Sequence, residues 1–168
     1  MGGTILVTGA QGFVGRHLLA ELGDRGRPVD ADVTDAEALR EALKDAKAVV
    51  HLAALSSAAE SWQDAAETWR VNVLGTVNVL QAASGMRVLV ASTADVYGNA
   101  DEIPTPETAP VAPTSPYGAS KAAAEVAADH ARRAGADVVV ARAFQHEGPG
   151  RDERFAVGSC LPARRPGP

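Results

Sequence analysis

Residues 4–15 read Thr4-Ile5-Leu6-Val7-Thr8-Gly9-Ala10-Gln11-Gly12-Phe13-Val14-Gly15. The apolar run Ile5 to Val7 is short and unbroken, the mark of a strand buried on both faces. After it, Val14, Leu18, Leu19 and Leu22 recur at helical spacing until Gly23 and Gly26 stop the pattern. Between strand and helix stand Gly9, Gly12 and Gly15, spaced Gly-x-x-Gly-x-x-Gly. Glycine serves such a turn in two ways. It accepts a positive φ, and it lets an anion come close to the backbone where a Cβ would block it. The helix start adds free N–H groups and the positive end of its dipole. Three glycines alone only shape a loop. Their place between a first strand and a first helix points to a pyrophosphate.

The same alternation continues along the chain. A weak second strand is expected over Val29 to Val33, followed by a capping box, Thr34-Asp35-Ala36-Glu37, and a helix with Leu39, Ala42, Leu43 and Ala46 on its apolar stripe. Val49, Val50 and Leu52 make a third strand. A long helix is expected with Trp69, Val73, Val77 and Leu80 on one face. Val88 to Val90 and Val138 to Val140 are further strands. Between them lie a proline-rich loop, Pro104 to Pro116, and an alanine-rich helix ending near Ala134. Continuous apolar strands alternating with helices imply an α/β fold, a parallel sheet covered by helices on both faces. Ligands of such sheets bind beyond the carboxyl ends of the strands.

The residues just past the strands are accordingly the candidates. An acid near the end of the second strand binds an adenosine ribose in many dinucleotide sites. Asp30 is the better ribose candidate, with Asp32 beside the adenine. An acid there favours NAD, whereas Arg16, Arg25 and Arg27 are each placed to reach a 2′-phosphate, so NAD and NADP both stay open. After the Val88–Val90 strand come Ser92 and Thr93, hydroxyls able to hold a substrate oxygen, with Thr93 preferred. Tyr97 reads as packing. Tyr117 and Lys121 share a helix face. A phenol is a poor base at neutral pH, and a nearby ammonium is expected to lower its pKa and make the pair a proton shuttle.

Bulk properties narrow the class. The chain has 168 residues, enough for one domain, with 46% hydrophobic and only 4% aromatic residues, so the core rests on Ala, Val and Leu. A net charge of -5 argues against a nucleic-acid surface. No apolar run is long enough to span a bilayer. The start of the chain lacks a signal-peptide pattern, and Leu6 breaks a myristoylation motif. The one cysteine, Cys160, leaves no internal disulfide and no cysteine metal site, and no metal is expected. These features suit a cytoplasmic protein.

The segments Thr8 to Gly15, His51-Leu52-Ala53-Ala54, Ser92 to Gly98 and Tyr117-x-x-x-Lys121 resemble, in order and spacing, the extended short-chain dehydrogenases. Residues 56–76, Pro116 to Lys121 and Arg142 to Gly150 narrow the likeness to GDP-4-dehydro-6-deoxymannose reductases and GDP-mannose 4,6-dehydratases. The resemblance covers about residues 4 to 158. It implies a Rossmann-type domain over residues 1–158 that binds NADP or NAD, a truncated C-terminal substrate lobe, and a disordered tail over residues 159–168. It implies that Gly9, Gly12, Phe13, Val14, Gly15, Asp30, Asp32, Val33, Leu52, Ala53, Ala54, Tyr117 and Lys121 hold the dinucleotide. Thr93, Tyr117, Lys121 and Asp95 would be catalytic, with Tyr117 as acid/base. Ser56, Ser92, Thr93 and Gln145 would face a nucleotide-sugar, and Asn72 would be structural. It further implies a homodimer joined through the long helix and the Tyr-Lys helix. The implied activity is reduction of a 4-keto group on a GDP-linked 6-deoxy sugar. A dehydratase, an epimerase and a non-catalytic cofactor-binding remnant are the alternatives.

Two positions depart from the family pattern on the substrate side. Leu55 stands where Gln is usual, and Gln145 where Asn is usual. Asp95 replaces the Glu of the dehydratases, one methylene shorter.

Overall fold

The computed structural model describes residues 3–151. The expected domain boundary at residue 158, the tail and Cys160 lie outside the described residues. Five parallel strands form one sheet in the order β2-β1-β3-β4-β5. They are β1 (Ile5–Thr8), β2 (Gly26–Pro28), β3 (Ala48–His51), β4 (Arg87–Thr93) and β5 (Val138–Ala143). The helices are α1 (Phe13–Leu22), α2 (Ala36–Ala42), α3 (Ala58–Ser61), α4 (Ala65–Trp69), α5 (Gly75–Ala82) and α6 (Pro116–Arg133). Right-handed crossovers put α1 on one face of this order and the other crossover helices on the opposite face. The strand order reverses between β1 and β3, which opens a crevice above their carboxyl ends.

The core is aliphatic. Leu39, Leu43, Val49, Val79, Val88 and Val90 are buried, with Ala128 of α6 completing the layer. Burying each such Val or Leu contributes about 1.5–3 kcal/mol.

Three expectations need correction. The second strand lies earlier than Val29–Val33. Gly26, Arg27 and Pro28 pair with Ile5, Leu6 and Val7, and Val29 adds one bond from its N–H to the Val7 carbonyl at 2.9 Å. An edge strand tolerates that proline because its missing donor faces no partner. Val33 belongs to the core instead.

The cap of α2 is Asp35, not Thr34. The Asp35 carboxylate accepts from the N–H groups of Glu37 and Ala38, while the Thr34 hydroxyl donates to Asp32 at 2.8 Å. A carboxylate is the stronger acceptor at the positive helix end.

The long helix carries a π-turn at Arg70–Leu74 between α4 and α5. Its extra residue shifts the register, so Thr68, Asn72, Thr76 and Val79 are buried while Trp69 is 42% exposed. Polar side chains occupy the inner face because they bond to one another, as described below.

Candidate active site

The turn after β1 assigns different work to its three glycines. Gly9 has φ of 67°, and a Cβ on it would lie 2.6 Å from the Ala53 nitrogen. Gly15 is the seam between α1 and the turn, where a Cβ would sit 2.4 Å from the Gly9 carbonyl oxygen. Gly12, the N-cap of α1, is different. A Cβ there meets only the Gly9 oxygen, at 3.2 Å, and otherwise open space. The backbone is thus bare where an anion would approach the helix start, which fits a pyrophosphate. Phe13 opens the helix with its ring stacked on His146 at 6.1 Å between centroids, and the Arg151 guanidinium lies over the Phe13 ring, 5.0 Å from its centroid. Val14 is partly exposed.

At the far end of the crevice, Asp30 is exposed two residues past β2. Asp32 accepts from the Thr34 N–H and hydroxyl, and these bonds hold its carboxyl below the usual range. Val33 is turned inward. Its side chain sits where a Cβ on Gly75 would be, and its carbonyl accepts from Asn78. The Val33 side chain thus belongs to the core. Arg70 donates to the Thr34 hydroxyl and pairs with Glu67, which brings a cation to this end from 36 residues away. Arg16 instead donates to the carbonyls of Gln11 and Gly150, and Arg27 lies exposed on the edge strand. The floor of the crevice is Leu52, Ala53 and Ala54, tied to β1 by Leu52 N–H to the Thr8 carbonyl and Ala53 N–H to the Thr8 hydroxyl.

The second half of the site is built where α6 starts beside the end of β4. Ser115 caps α6 by accepting from Gly118, and Pro116 occupies the first turn. Gly118 lets the helix approach Asp95 closely, since a Cβ there would lie 2.8 Å from the Asp95 carbonyl oxygen. The Tyr117 N–H is held by Ser61, the last residue of α3. These contacts bring Tyr117 to Thr93 and Asp95. Burial raises the phenol's pKa, the Thr93 hydrogen bond opposes that, the Asp95 charge adds to it and Arg151 opposes it. The expected lowering by Lys121 is absent, because burial dominates and the phenol stays protonated at neutral pH. Lys121 is 4% exposed. Burial brings its pKa down to about 8, against the pull of Glu125.

Ser92 does not face the crevice. It is buried, and its hydroxyl donates to Glu125, whose carboxylate also takes a forked pair of bonds from Arg142. Ser92 alternates with Thr93 along the strand, so only one of them reaches the site. Tyr97 is packing, as expected, with its ring under Arg142 at 4.8 Å. Ser56 and Gln145 are exposed in the loops after β3 and β5.

With Gly12 at one side of the crevice, and Thr93, Tyr117 and Lys121 at the other, residues 5–165 match the NAD dependent epimerase/dehydratase family. The chain belongs to that family. It is 36% identical over 171 residues to the GDP-6-deoxy-D-mannose reductase of Pseudomonas aeruginosa, covering 93% of this chain and 56% of that protein. It is 32% identical over 152 residues to a UDP-glucose 4-epimerase of Streptomyces lividans, covering 74% of this chain and 46% of the epimerase. Among solved structures it superposes on RMD from Pseudomonas aeruginosa complexed with NADPH with a TM-score of 0.83 and 37% identity, covering 91% of this chain and 57% of the other. The chain spans about half the length of the curated relatives it matches.

Within this epimerase/dehydratase frame, sequence reasoning missed Arg70, Ser61 and Glu125. Glu125 had a readable signal, one helical turn beyond Lys121 on the same face. The contacts of Arg70 with Thr34 and of Ser61 with Tyr117 had none, because each forms only through the tertiary fold.

Proposed function

We propose that this chain is the dinucleotide-binding and catalytic part of an NADP- or NAD-dependent reductase acting on the 4-keto group of a GDP-linked 6-deoxyhexose. The observation that carries the reading is Tyr117, hydrogen-bonded to Thr93 and held protonated by burial, on the same helix face as the buried Lys121. A protonated phenol suits a reaction that must deliver a proton to a forming alkoxide. The likeness to the Pseudomonas aeruginosa reductase supports the substrate class.

Gly12 and the start of α1 would receive the pyrophosphate, with Asp30, Asp32 and Arg70 near the adenosine end and Leu52 to Ala54 beneath. Lys121 would bond the nicotinamide ribose. The bound dinucleotide supplies hydride. Thr93 orients the substrate carbonyl oxygen by a hydrogen bond, and Tyr117 donates its proton to that oxygen. Ser56 and Gln145, both exposed, would meet the nucleotide-sugar. Turnover of GDP-4-dehydro-6-deoxy-D-mannose with NADPH, measured against UDP- and dTDP-linked 4-keto sugars, tests the assignment. Equal rates on all three would remove the GDP preference.

A second reading, a 4,6-dehydratase, is favoured by Asp95 alone. Its charge is felt at Tyr117, so a carboxylate is available to assist elimination on the sugar. Formation of the 4-keto product from GDP-mannose would decide for it.

The protein is proposed to be a homodimer drawing on the cytoplasmic nicotinamide pool. Trp69 just before the π-turn, Leu74 at its end and Val126 on α6 are apolar side chains 42%, 45% and 71% exposed, available to pair two protomers. None of the described helices is long and apolar enough to cross a membrane. Sedimentation at tens of micromolar giving monomer alone would overturn the dimer.

A further inference from the structure

His51, the last residue of β3, is 1% exposed and lies between two hydroxyls. Its Nδ1 is 2.7 Å from Thr8 Oγ1, and its Nε2 is 3.0 Å from Thr76 Oγ1. The protons of this chain of bonds can be assigned from its ends. Thr76 has one hydroxyl hydrogen, and it donates to the Asn72 carbonyl at 2.6 Å. Thr76 can therefore only accept from His51, which puts the hydrogen on Nε2. Burial, and then the nearby Lys121 charge, push the imidazole down to about 3, so it is neutral and Nδ1 is an acceptor. Thr8 donates to that nitrogen and uses its own lone pair for the Ala53 N–H at 3.3 Å.

The chain of bonds runs on into α6. Asn72 donates to Ser120 Oγ at 2.9 Å, and Ser120 donates to the Tyr117 carbonyl at 2.7 Å. Asn72 also exchanges bonds with Leu55, from the Leu55 N–H at 2.8 Å and to its carbonyl at 3.0 Å. Thr8, Asn72, Thr76 and Ser120 are each no more than 1% exposed. Every hydroxyl hydrogen in the path is thus committed, and reversing any one bond leaves a buried group unpaired, at a cost of about 1–3 kcal/mol.

We propose that His51, as its neutral Nε2–H tautomer, is a positioning residue that locks the glycine turn and its Leu52–Ala54 floor to the helix bearing Tyr117 and Lys121. The coupling rests on the dinucleotide reading above, whereas the tautomer stands without it. Thr8 immediately precedes Gly9, and Ser120 immediately precedes Lys121. A displacement of the turn on binding is passed to the catalytic helix through the side chains of Thr8, His51 and Thr76, the carbonyl and side chain of Asn72, and Ser120.

Long-range ¹⁵N–¹H NMR of the full chain reads the tautomer directly. A pyrrole-like Nε2 and a pyridine-like Nδ1 are expected, in the presence and absence of NADPH. Thr76→Val should bring in the Nδ1–H form, and Thr76→Ser should restore the parent signal. A double-mutant cycle on NADPH affinity, with Thr8→Val and Ser120→Ala, then reads the coupling. The combined change should depart from the product of the single changes by roughly threefold or more, although the two sites do not touch. An Nδ1–H or imidazolium signal, or purely multiplicative effects in a chain that binds NADPH, overturns the proposal. A parent with the Nε2–H tautomer that fails to bind NADPH overturns the dinucleotide reading, and the coupling with it.

Discussion

Alanine at Gly12 and alanine at Gly15 should damage different properties, although the two residues lie three apart in one turn. At Gly15 the added methyl would sit 2.4 Å from the Gly9 carbonyl oxygen and 2.7 Å from both the Ala10 Cα and its carbonyl oxygen. All three neighbours are backbone and none can rotate away. Overpacking of this kind costs about 1–3 kcal/mol, which for a domain of this size lowers Tm by roughly 2–12 °C. At Gly12 the methyl meets only the Gly9 oxygen at 3.2 Å, and φ of -69° with ψ of 171° suits any residue. The fold should lose only about half a kcal/mol there, from alanine's poor performance as an N-cap. The same methyl covers the bare backbone offered to the pyrophosphate, so NADPH affinity should fall at least about tenfold, or about 1.4 kcal/mol. Thermal melts without ligand, paired with fluorescence titrations of NADPH, separate the two effects. A Gly12→Ala protein that melts like Gly15→Ala, or that binds NADPH as the parent does, would refute the division of labour in the turn.

Tyr117→Phe should cut turnover by about 10² to 10⁴ while leaving NADPH affinity within a few-fold, measured by steady-state rates and titration. Lys121 gives opposite pH slopes. Its pKa is about 8 in the fold against 10.5 unperturbed, so the unfolded chain binds more protons between those values. Its contribution to stability therefore rises with pH across that window, by up to about 3 kcal/mol, while dinucleotide affinity falls as the ammonium is lost. Comparing melts and titrations of the parent with Lys121→Met from pH 7 to roughly 10.5 checks both signs. His51 acts at the acid end. Its folded pKa of about 3 against 6.5 means stability is present above pH 6.5 and is lost as pH falls toward 3, by about 2 kcal/mol at roughly pH 5. Lys121 is the charged group that opposes its protonation, and His51→Gln should flatten that slope in urea titrations. Ser92→Ala should cost about 1 kcal/mol in urea melts and leave the KM for the sugar nucleotide unchanged, because its hydroxyl serves Glu125.

The strand–turn–helix at the start of the chain was legible because its signals are local: an apolar run, glycines and a 3.6-residue period. β4, β5 and α6 were legible for the same reason. The second strand was not, because Gly26-Arg27-Pro28 has no strand propensity and pairs only because β1 lies beside it. The inner face of α4 to α5 misled the eye in a related way. Apolar periodicity selected Trp69, whereas the fold buries Thr68, Asn72 and Thr76 to complete a polar network with His51 and Ser120. Nothing in the spacing of these residues announces that network. Tyr117, Thr93 and Lys121 were found as a pattern, but the sign of the phenol's pKa shift was not, since it depends on burial that only the packed structure supplies.

In the proposed reaction, hydride from a nicotinamide cofactor and a proton from Tyr117 meet at the sugar's C4 carbonyl. The direct measurement is NMR of the product formed from GDP-4-dehydro-6-deoxy-D-mannose and NADPH deuterated at the nicotinamide C4. Deuterium is expected at C4 of the hexose with the parent protein, and about 10² to 10⁴ less of it in the same time with Tyr117→Phe. Deuterium at C4 in undiminished yield from the Tyr117→Phe protein, or no transfer from a parent that binds NADPH and this substrate, would contradict it.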